Sequence, residues 1–190
     1  MKTTLPLFVL LAALVSASPI PASFDSVCLQ PEEKKLYDLI MEYRKEKNLN
    51  VIPLSAKLTQ VAQTHAKDLS ENHDPFNGKC NLHSWSKKGK WEPCCYTDDH
   101  KKATCMWDKP KEIAGYESNG YEISYYSGAG ANATEGIAGW KTSTGHNQVI
   151  INDGIWKKIT WNAIGVGIYK EYGVVWFGEL KDESNLEICN

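Results

Sequence analysis

The chain has 190 residues, 42% of them hydrophobic, which is enough for one domain with a substantial buried core. Its formal net charge is −2 at pH 7, with Lys and Arg scattered among Asp and Glu rather than gathered in a basic stripe. Nucleic acid is therefore not an expected partner.

The N-terminal segment has the order of a secretory signal peptide. A positive charge at Lys2 is followed by an apolar stretch over Leu5–Val15 and by small residues before a cleavage site after Ala17. The apolar run of about 11 residues is too short to cross a bilayer, which takes about 20, and no later segment predicts a transmembrane span. We therefore expect an extracellular, secreted protein. The predicted segments are a signal peptide (1–17), an irregular lead-in (18–31) and one domain (32–190).

Six cysteines in an exported chain predict three disulfides. Cys28 and Cys189 lie near the two ends, so we expect them to bridge, while the other four form a local cluster of open connectivity. Adjacent Cys94 and Cys95 are poor partners for each other, because neighbouring Cα atoms lie about 3.8 Å apart and a disulfide takes at least about 4.4 Å. A zinc site in the cluster is the alternative. The cysteines are Cys28, Cys80, Cys94, Cys95, Cys105 and Cys189.

Two helices are predicted after the lead-in. Pro31 suits a first helical turn, and apolar residues between Leu36 and Tyr43 recur at helical spacing. A second helix is predicted after Ser55, which is a good N-cap. His65 lies on the inner face of that helix, so we interpret it as a core residue rather than a ligand.

Residues 71–112 lack periodicity and contain four of the cysteines, which predicts a long loop stapled by disulfides. Trp91 and Trp107 in this loop are candidates for a carbohydrate-binding surface. Tryptophan side chains more often serve as packing, so this remains an alternative function.

The remaining chain predicts a strand, a helix and a hairpin. The strand is centred on Tyr121–Tyr125, and Asn132 suits the N-cap of a short helix over 133–141. Ile164–Tyr169 and Val174–Gly178 flank a four-residue link that contains glycine, which predicts a hairpin. Helices first and strands late indicate an α+β layered domain.

The candidates for chemistry are His83 and His146, with Glu122 between them on the predicted strand. Two imidazoles and a carboxylate are ligands that zinc or another divalent metal accepts. Protonated imidazoles would instead bind an anion, and each histidine is alternatively a structural, hydrogen-bonded residue. His146 is predicted to end the short helix and to point into a cleft that His83 also reaches. The HExxH, GxSxG and phosphate-loop motifs are absent, so the common hydrolase templates do not apply.

Five motifs in order resemble the CAP superfamily, which comprises cysteine-rich secretory proteins, antigen 5 and pathogenesis-related 1 proteins and is also known as the SCP domain. The resemblance covers about residues 32–178 and implies a three-layer α-β-α sandwich with a disulfide-stapled loop. It also implies a central cleft lined by two histidines, which His83 and His146 match, and two acidic residues; in several members this cleft binds a divalent metal. The motifs are Leu58–Leu69, Cys80–Ser84, Gly120–Tyr125, Trp140–Asn147, and the pair Trp161–Ile168 with Val174–Gly178.

The acidic positions depart from the family pattern. Where the family has Gly-Glu-Asn-Ile, this chain has Gly-Tyr-Glu-Ile, so Glu122 matches only after a one-residue shift, and Glu117 is its competitor. At the second acidic position the chain has Ser143, and Glu135 is the nearest acidic residue upstream. We therefore expect three of the four groups in the cleft.

The resemblance implies a secreted binding module, whose ligand is a divalent metal, a lipid or sterol, or a surface protein. The alternatives are a metal-dependent hydrolase with Glu122 as base, and the carbohydrate-binding protein considered above. Asn132-Ala-Thr134 is the only Asn-x-Ser/Thr sequon, so Asn132 is expected to be glycosylated if the source is a eukaryote.

Overall fold

The computed structural model describes residues 27–74, 78–182 and 186–189, so the predicted signal peptide and most of the lead-in lie outside the described residues. The strands are β1 (Cys28–Leu29), β2 (Gly120–Tyr126), β3 (Ala163–Tyr169), β4 (Tyr172–Gly178) and β5 (Glu187–Ile188). The helices are α1 (Pro31–Glu46), α2 (Ala56–Asn72), α3 (Ala103–Trp107), α4 (Lys109–Ala114), α5 (Ala133–Thr142) and α6 (Thr144–Ile150). A 3-10 turn at Gly154–Trp156 lies between α6 and β3.

Both long helices begin where the sequence predicts. Pro31 occupies the first turn of α1, and the backbone N–H of Gln30 donates to the Glu33 carboxylate as half of a capping box. At α2 the Ser55 hydroxyl accepts a hydrogen bond from the backbone N–H of Leu58 at 3.0 Å. These caps satisfy N–H groups that have no partner within their own helix.

Strands β2, β4 and β3 form an antiparallel sheet in that order, with helices on both faces. Ile123 and Val175 face a core shared with α1, α5 and α6, whereas Trp176 faces a second core shared with α2. The predicted three-layer α-β-α sandwich is confirmed. Because neighbouring residues on a strand face opposite sides, a shift of one residue decides which layer a side chain reaches.

Two glycines let α2 lie directly on β3. A Cβ on Gly165 would lie 2.0 Å from the carbonyl carbon of Leu58, and one on Gly167 would lie 2.3 Å from that of Ala62. No side chain fits between backbones this close. The close approach brings His65, one turn beyond Ala62, within reach of β2.

The described parts of residues 71–112 contain more helix than the sequence predicts. Helix α2 continues to Asn72, and the short helices α3 and α4 begin at Ala103 and Lys109, so the prediction of one long loop was wrong in part. Helices of five and six residues are too short to show a periodic apolar face. Disulfides Cys80–Cys95 and Cys94–Cys105 join the segment to itself.

Cys28 and Cys189 form the disulfide that their positions in the sequence predict. Strand β1 pairs in parallel with β5 beside this bond. The β3–β4 hairpin is tighter than expected, because only Lys170 and Glu171 separate the strands rather than four residues. Among the described residues no helix is long and apolar enough to cross a membrane.

Candidate functional site

A cavity of about 520 Å³ lies between strand β2, the segment after α2 and the segment that contains α6. His83 and His146 both line it, so the fold brings together the two histidines that the sequence indicates. Its other polar lining residues are Tyr96, His100, Glu122, Ser143 and Gln148.

Glu122 is held between two imidazoles. Its Oε1 lies 2.7 Å from Nδ1 of His83, its Oε2 contacts Nδ1 of His65, and its side chain has no exposed surface. Burial by itself raises the pKa of Glu122, but the charges and hydrogen bonds of His65 and His83 outweigh burial and hold that pKa below its ordinary value. Glu122 is therefore an ionised carboxylate that lines the cavity, but both of its oxygens are engaged by imidazoles.

His65 supplies the counter-charge for Glu122. Its Nε2 lies 2.9 Å from the carbonyl oxygen of Ser84, while its Nδ1 faces the carboxylate. Both partners are acceptors, so both ring nitrogens carry protons and the buried ring is an imidazolium. The ring also stacks on Trp85, with centroids 4.0 Å apart and planes 9° apart. His65 is fully buried, as a core residue should be, but its partner lies 57 residues away on another strand, and helical periodicity carries no signal for that pairing.

The two ring nitrogens of His83 have different surroundings: Nδ1 contacts Glu122, and Nε2 is left for the cavity. Its Nδ1–H donates to Glu122, which leaves the Nε2 lone pair facing the cavity. A carboxylate behind a histidine is the arrangement that fixes the tautomer of metal-binding imidazoles. An edge contact with Tyr96, at 5.2 Å between centroids, further fixes the ring.

His146 is the third residue of α6, not the end of the preceding helix as predicted. Helix α5 stops at Thr142, and Ser143 separates the two helices. Val149 and Ile150 are buried and anchor α6 in the core. Burial lowers the pKa of His146, His83 lowers it further, and Glu122 partly offsets both. The ring is therefore neutral at pH 7, the state that a metal ligand needs.

The other acidic candidates do not reach the cavity. Glu117 is exposed and pairs with Lys111 at 3.0 Å, and Glu135 is exposed in the first turn of α5, where its N–H is capped by Asn132. Tyr121 packs on the α1 side of the sheet and lines the cavity, while Glu122 points to α2. Tyr121 and Glu122 are neighbours on β2 and face opposite sides of the sheet, so the one-residue difference from the family motif decides whether a phenol ring or a carboxylate faces α2.

The donor set would offer a metal ion at most two histidine ligands. Within residues 27–74, 78–182 and 186–189 no group of three or more His, Cys, Asp or Glu side chains is placed to hold a metal. The nitrogens of His83 and His146 are the groups that would coordinate an ion, and Glu122 would orient His83. Zinc accepts histidine nitrogens as ligands, and water would fill its remaining coordination positions.

The sequence did not indicate the aromatic wall of this cavity. Trp107, Tyr121 and Trp156 line one side, with Met106 and Ile155 beside them. These rings lie on α3, β2 and the 3-10 turn, and no single-segment pattern joins them. Trp91, the other tryptophan singled out from the sequence, is half-buried elsewhere, where its Nε1–H donates to the Ser86 carbonyl at 2.8 Å.

Comparison with known proteins gives one family. Residues 37–177 match the model of CAP, the Cysteine-rich secretory protein family. A search of the curated proteins finds no match.

Three solved structures share the fold. An extracellular protein containing a SCP domain from Bacillus anthracis has a TM-score of 0.55 and 19% identity, over 78% of this chain and 40% of that one. An outer surface protein from Borrelia burgdorferi has a TM-score of 0.53 and 21% identity, over 79% of this chain and 93% of that one. A cysteine-rich secretory protein from Staphylococcus aureus has a TM-score of 0.51 and 16% identity, over 78% of this chain and 38% of that one. The chain therefore spans well under half of the Bacillus and Staphylococcus proteins.

Proposed function

Because the chain belongs to the CAP family of cysteine-rich secretory proteins, we propose that it is an extracellular binding protein whose ligand site is the cavity between His83 and His146. The observation that carries the proposal is the environment of Glu122: a buried carboxylate clamped by two imidazoles, one of which presents its free nitrogen to the cavity. Burying a charge pair costs desolvation energy. Here the buried carboxylate contacts a histidine that lines the cavity, and such a contact orients the histidine ring for binding a ligand.

A divalent metal, zinc first, is the proposed inorganic ligand. When bound, it would supply a positive centre that attracts an oxygen or nitrogen of a second ligand. His83 and His146 would hold it through neutral nitrogens, and Glu122 would keep the His83 ring in the required tautomer. The mostly apolar remainder of the cavity suits the apolar part of a lipid, sterol or partner protein.

Extracellular placement is part of the proposal. Three disulfides are stable in an oxidising compartment, and the N-terminal sequence has the order of a signal peptide. Two of the similar structures are an extracellular protein and an outer surface protein.

Binding is favoured over hydrolysis. A hydrolase of the type considered from the sequence would use Glu122 as base, yet both oxygens of that carboxylate are engaged by imidazoles and its side chain is unexposed. A general base must come within hydrogen-bonding reach of the proton that it removes.

Isothermal titration with zinc at pH 7.5 and 5.5 tests the metal part. His83→Ala and His146→Ala should each lose at least about tenfold in affinity, and wild-type affinity should fall at pH 5.5 because a protonated imidazole does not coordinate. His73→Ala, a histidine outside this cavity, is the matched control and should bind like wild type. Equal affinity in His83→Ala and wild type would refute the shared site.

A further inference from the structure

One wall of the cavity is a continuous aromatic surface. The ring of Tyr121 packs against Trp156 at 5.0 Å and against Trp107 at 5.9 Å between centroids. The hydroxyl of Tyr121 is turned to Glu179, at 3.3 Å, so its ring rather than its polar end meets the cavity. Ile155, 82% exposed at the same cavity, extends the apolar surface to the rim.

The polar part of the cavity offers a ring nitrogen of His83. Nδ1 of His83 lies 2.7 Å from Oε1 of Glu122, and a carboxylate oxygen accepts, so Nδ1 is the nitrogen that donates. Nε2 is the ring nitrogen left for the cavity, and in this tautomer it is an acceptor. That nitrogen is therefore suited to a ligand hydrogen-bond donor.

We propose that the metal-free cavity binds a flat aromatic molecule that carries one hydroxyl or amine donor. Its ring would lie against Tyr121 and Trp156, and its donor would reach Nε2 of His83. A volume of about 520 Å³ lies within the range of roughly 300–1,000 Å³ typical of small-molecule pockets. Offset and edge contacts between ligand and wall rings favour aromatic over saturated ligands. This inference rests on the proposal that this cavity is the ligand site, and it names the ligand class.

Isothermal titration with 2-naphthol and 2-methoxynaphthalene, in the presence of EDTA, tests the assignment. The two probes share a flat ring system, but only the first has a donor. We expect 2-naphthol to bind wild type about threefold to tenfold more tightly, since the net contribution of one hydrogen bond converts to that range. His83→Phe keeps a ring and removes the acceptor, so it should abolish the difference between the probes.

Two tryptophan variants separate the wall from general packing. Trp156→Leu should weaken both probes about tenfold, because it removes a ring contact that both make. Trp91→Leu is the matched control: its ring is also half-buried but lies outside the cavity, and it should leave both affinities unchanged. Thermal unfolding of each variant checks that the fold is retained, and the comparison of the two probes on wild type stands without any variant.

The outcomes distinguish this inference from the proposed function. Equal binding of both probes to wild type, or an equal loss in Trp91→Leu and Trp156→Leu, overturns the inference. If neither probe binds while zinc binding depends on His83 and His146, the ligand class is wrong and the cavity remains the site. If neither zinc nor 2-naphthol binds, both proposals fall.

Discussion

Replacing Glu122 with leucine tests the buried charge pair on which the site depends. The change removes two hydrogen bonds to a carboxylate and leaves the His65 imidazolium without a counter-charge in the core. Hydrogen bonds to charged groups contribute about 1.5–3 kcal/mol each, and breaking a buried pair on one side costs about 3–5 kcal/mol. We expect a loss of about 3–5 kcal/mol in the free energy of unfolding, or roughly 6–20 °C in Tm for a domain of this size.

The assay is denaturant and thermal unfolding at pH 7 with the disulfides intact. Glu117→Leu is the matched control, because Glu117 pairs with Lys111 on the exposed surface, where such a pair contributes about 0–1 kcal/mol. The double variant His65→Leu with Glu122→Leu should recover part of the loss, since replacing both partners of a buried pair by apolar residues is often neutral. If Glu122→Leu is as stable as Glu117→Leu, the account of the pair is refuted.

The same comparison has a defined pH dependence. The pKa of Glu122 is below its ordinary value of 4.5 in the folded protein, so its stabilising contribution is fully present above pH 4.5 and is lost as pH falls through the lowered folded-state pKa. Its facing groups are His65 and His83, with His146 nearby. The stability gap between wild type and Glu122→Leu should shrink as pH falls below 4.5. A gap that widens below pH 4.5 contradicts the sign of this linkage.

Three further predictions concern the fold, and a fourth concerns the sequon. Gly165→Ala should cost more than about 2 kcal/mol by denaturant unfolding, because its Cβ would overlap the α2 backbone, whereas Gly139→Ala, on the open face of α5, should stabilise by about 0.5–1 kcal/mol. Replacing Cys28 and Cys189 together with serine should cost about 5 kcal/mol in the chain-entropy account for a separation of 161 residues, and a loss below about 1 kcal/mol would contradict it. Asn132→Ala should lose about 1 kcal/mol of helix capping that Asn132→Asp retains. Protein from a eukaryotic host should lose mass on glycosidase treatment unless Asn132 is replaced.

Local rules predicted the elements whose signals lie within one segment. Pro31 and Ser55 mark helix starts because capping is satisfied by residues three positions away. Asn132 caps α5 for the same reason. The hairpin was found from its β-branched runs, but its link was predicted too long because Tyr172 and Gly173 pair in β4 rather than turning.

Long-range polar pairing was beyond sequence patterns. Glu33 is 1% exposed and accepts a hydrogen bond from the backbone N–H of Ile168, although its place on a charged helix suggests a solvated side chain. Arg44 is likewise buried, with its guanidinium bonded to the Ile150 carbonyl and to Asn152, and burial lowers its pKa to about 10. Periodicity identifies apolar faces, but it carries no information on which buried charges find partners in distant parts of the chain.

Some residues of the candidate site were predicted from the sequence, and others are evident only in the structure. His83 and His146 were indicated by motifs that resemble the family, and the structure brings both to one cavity. Glu122 was expected in the cavity as a ligand, and it does line the cavity, but its two carboxylate oxygens are engaged by His65 and His83, contacts that the sequence did not indicate. The aromatic wall joins three separate segments, so only the folded chain reveals it.

Long-range ¹H–¹⁵N NMR of the histidine rings at pH 7, before and after addition of zinc, tests most directly whether Glu122 organises the cavity as a ligand site. We expect both nitrogens of His65 to carry protons and His83 to be protonated on Nδ1 alone. On adding zinc, Nε2 of His83 and one nitrogen of His146 should shift while His65 stays unchanged. Two results would contradict the role of Glu122 and the shared zinc site: a His83 ring protonated on Nε2 alone, or zinc addition that leaves the ¹⁵N signals of His83 and His146 unchanged.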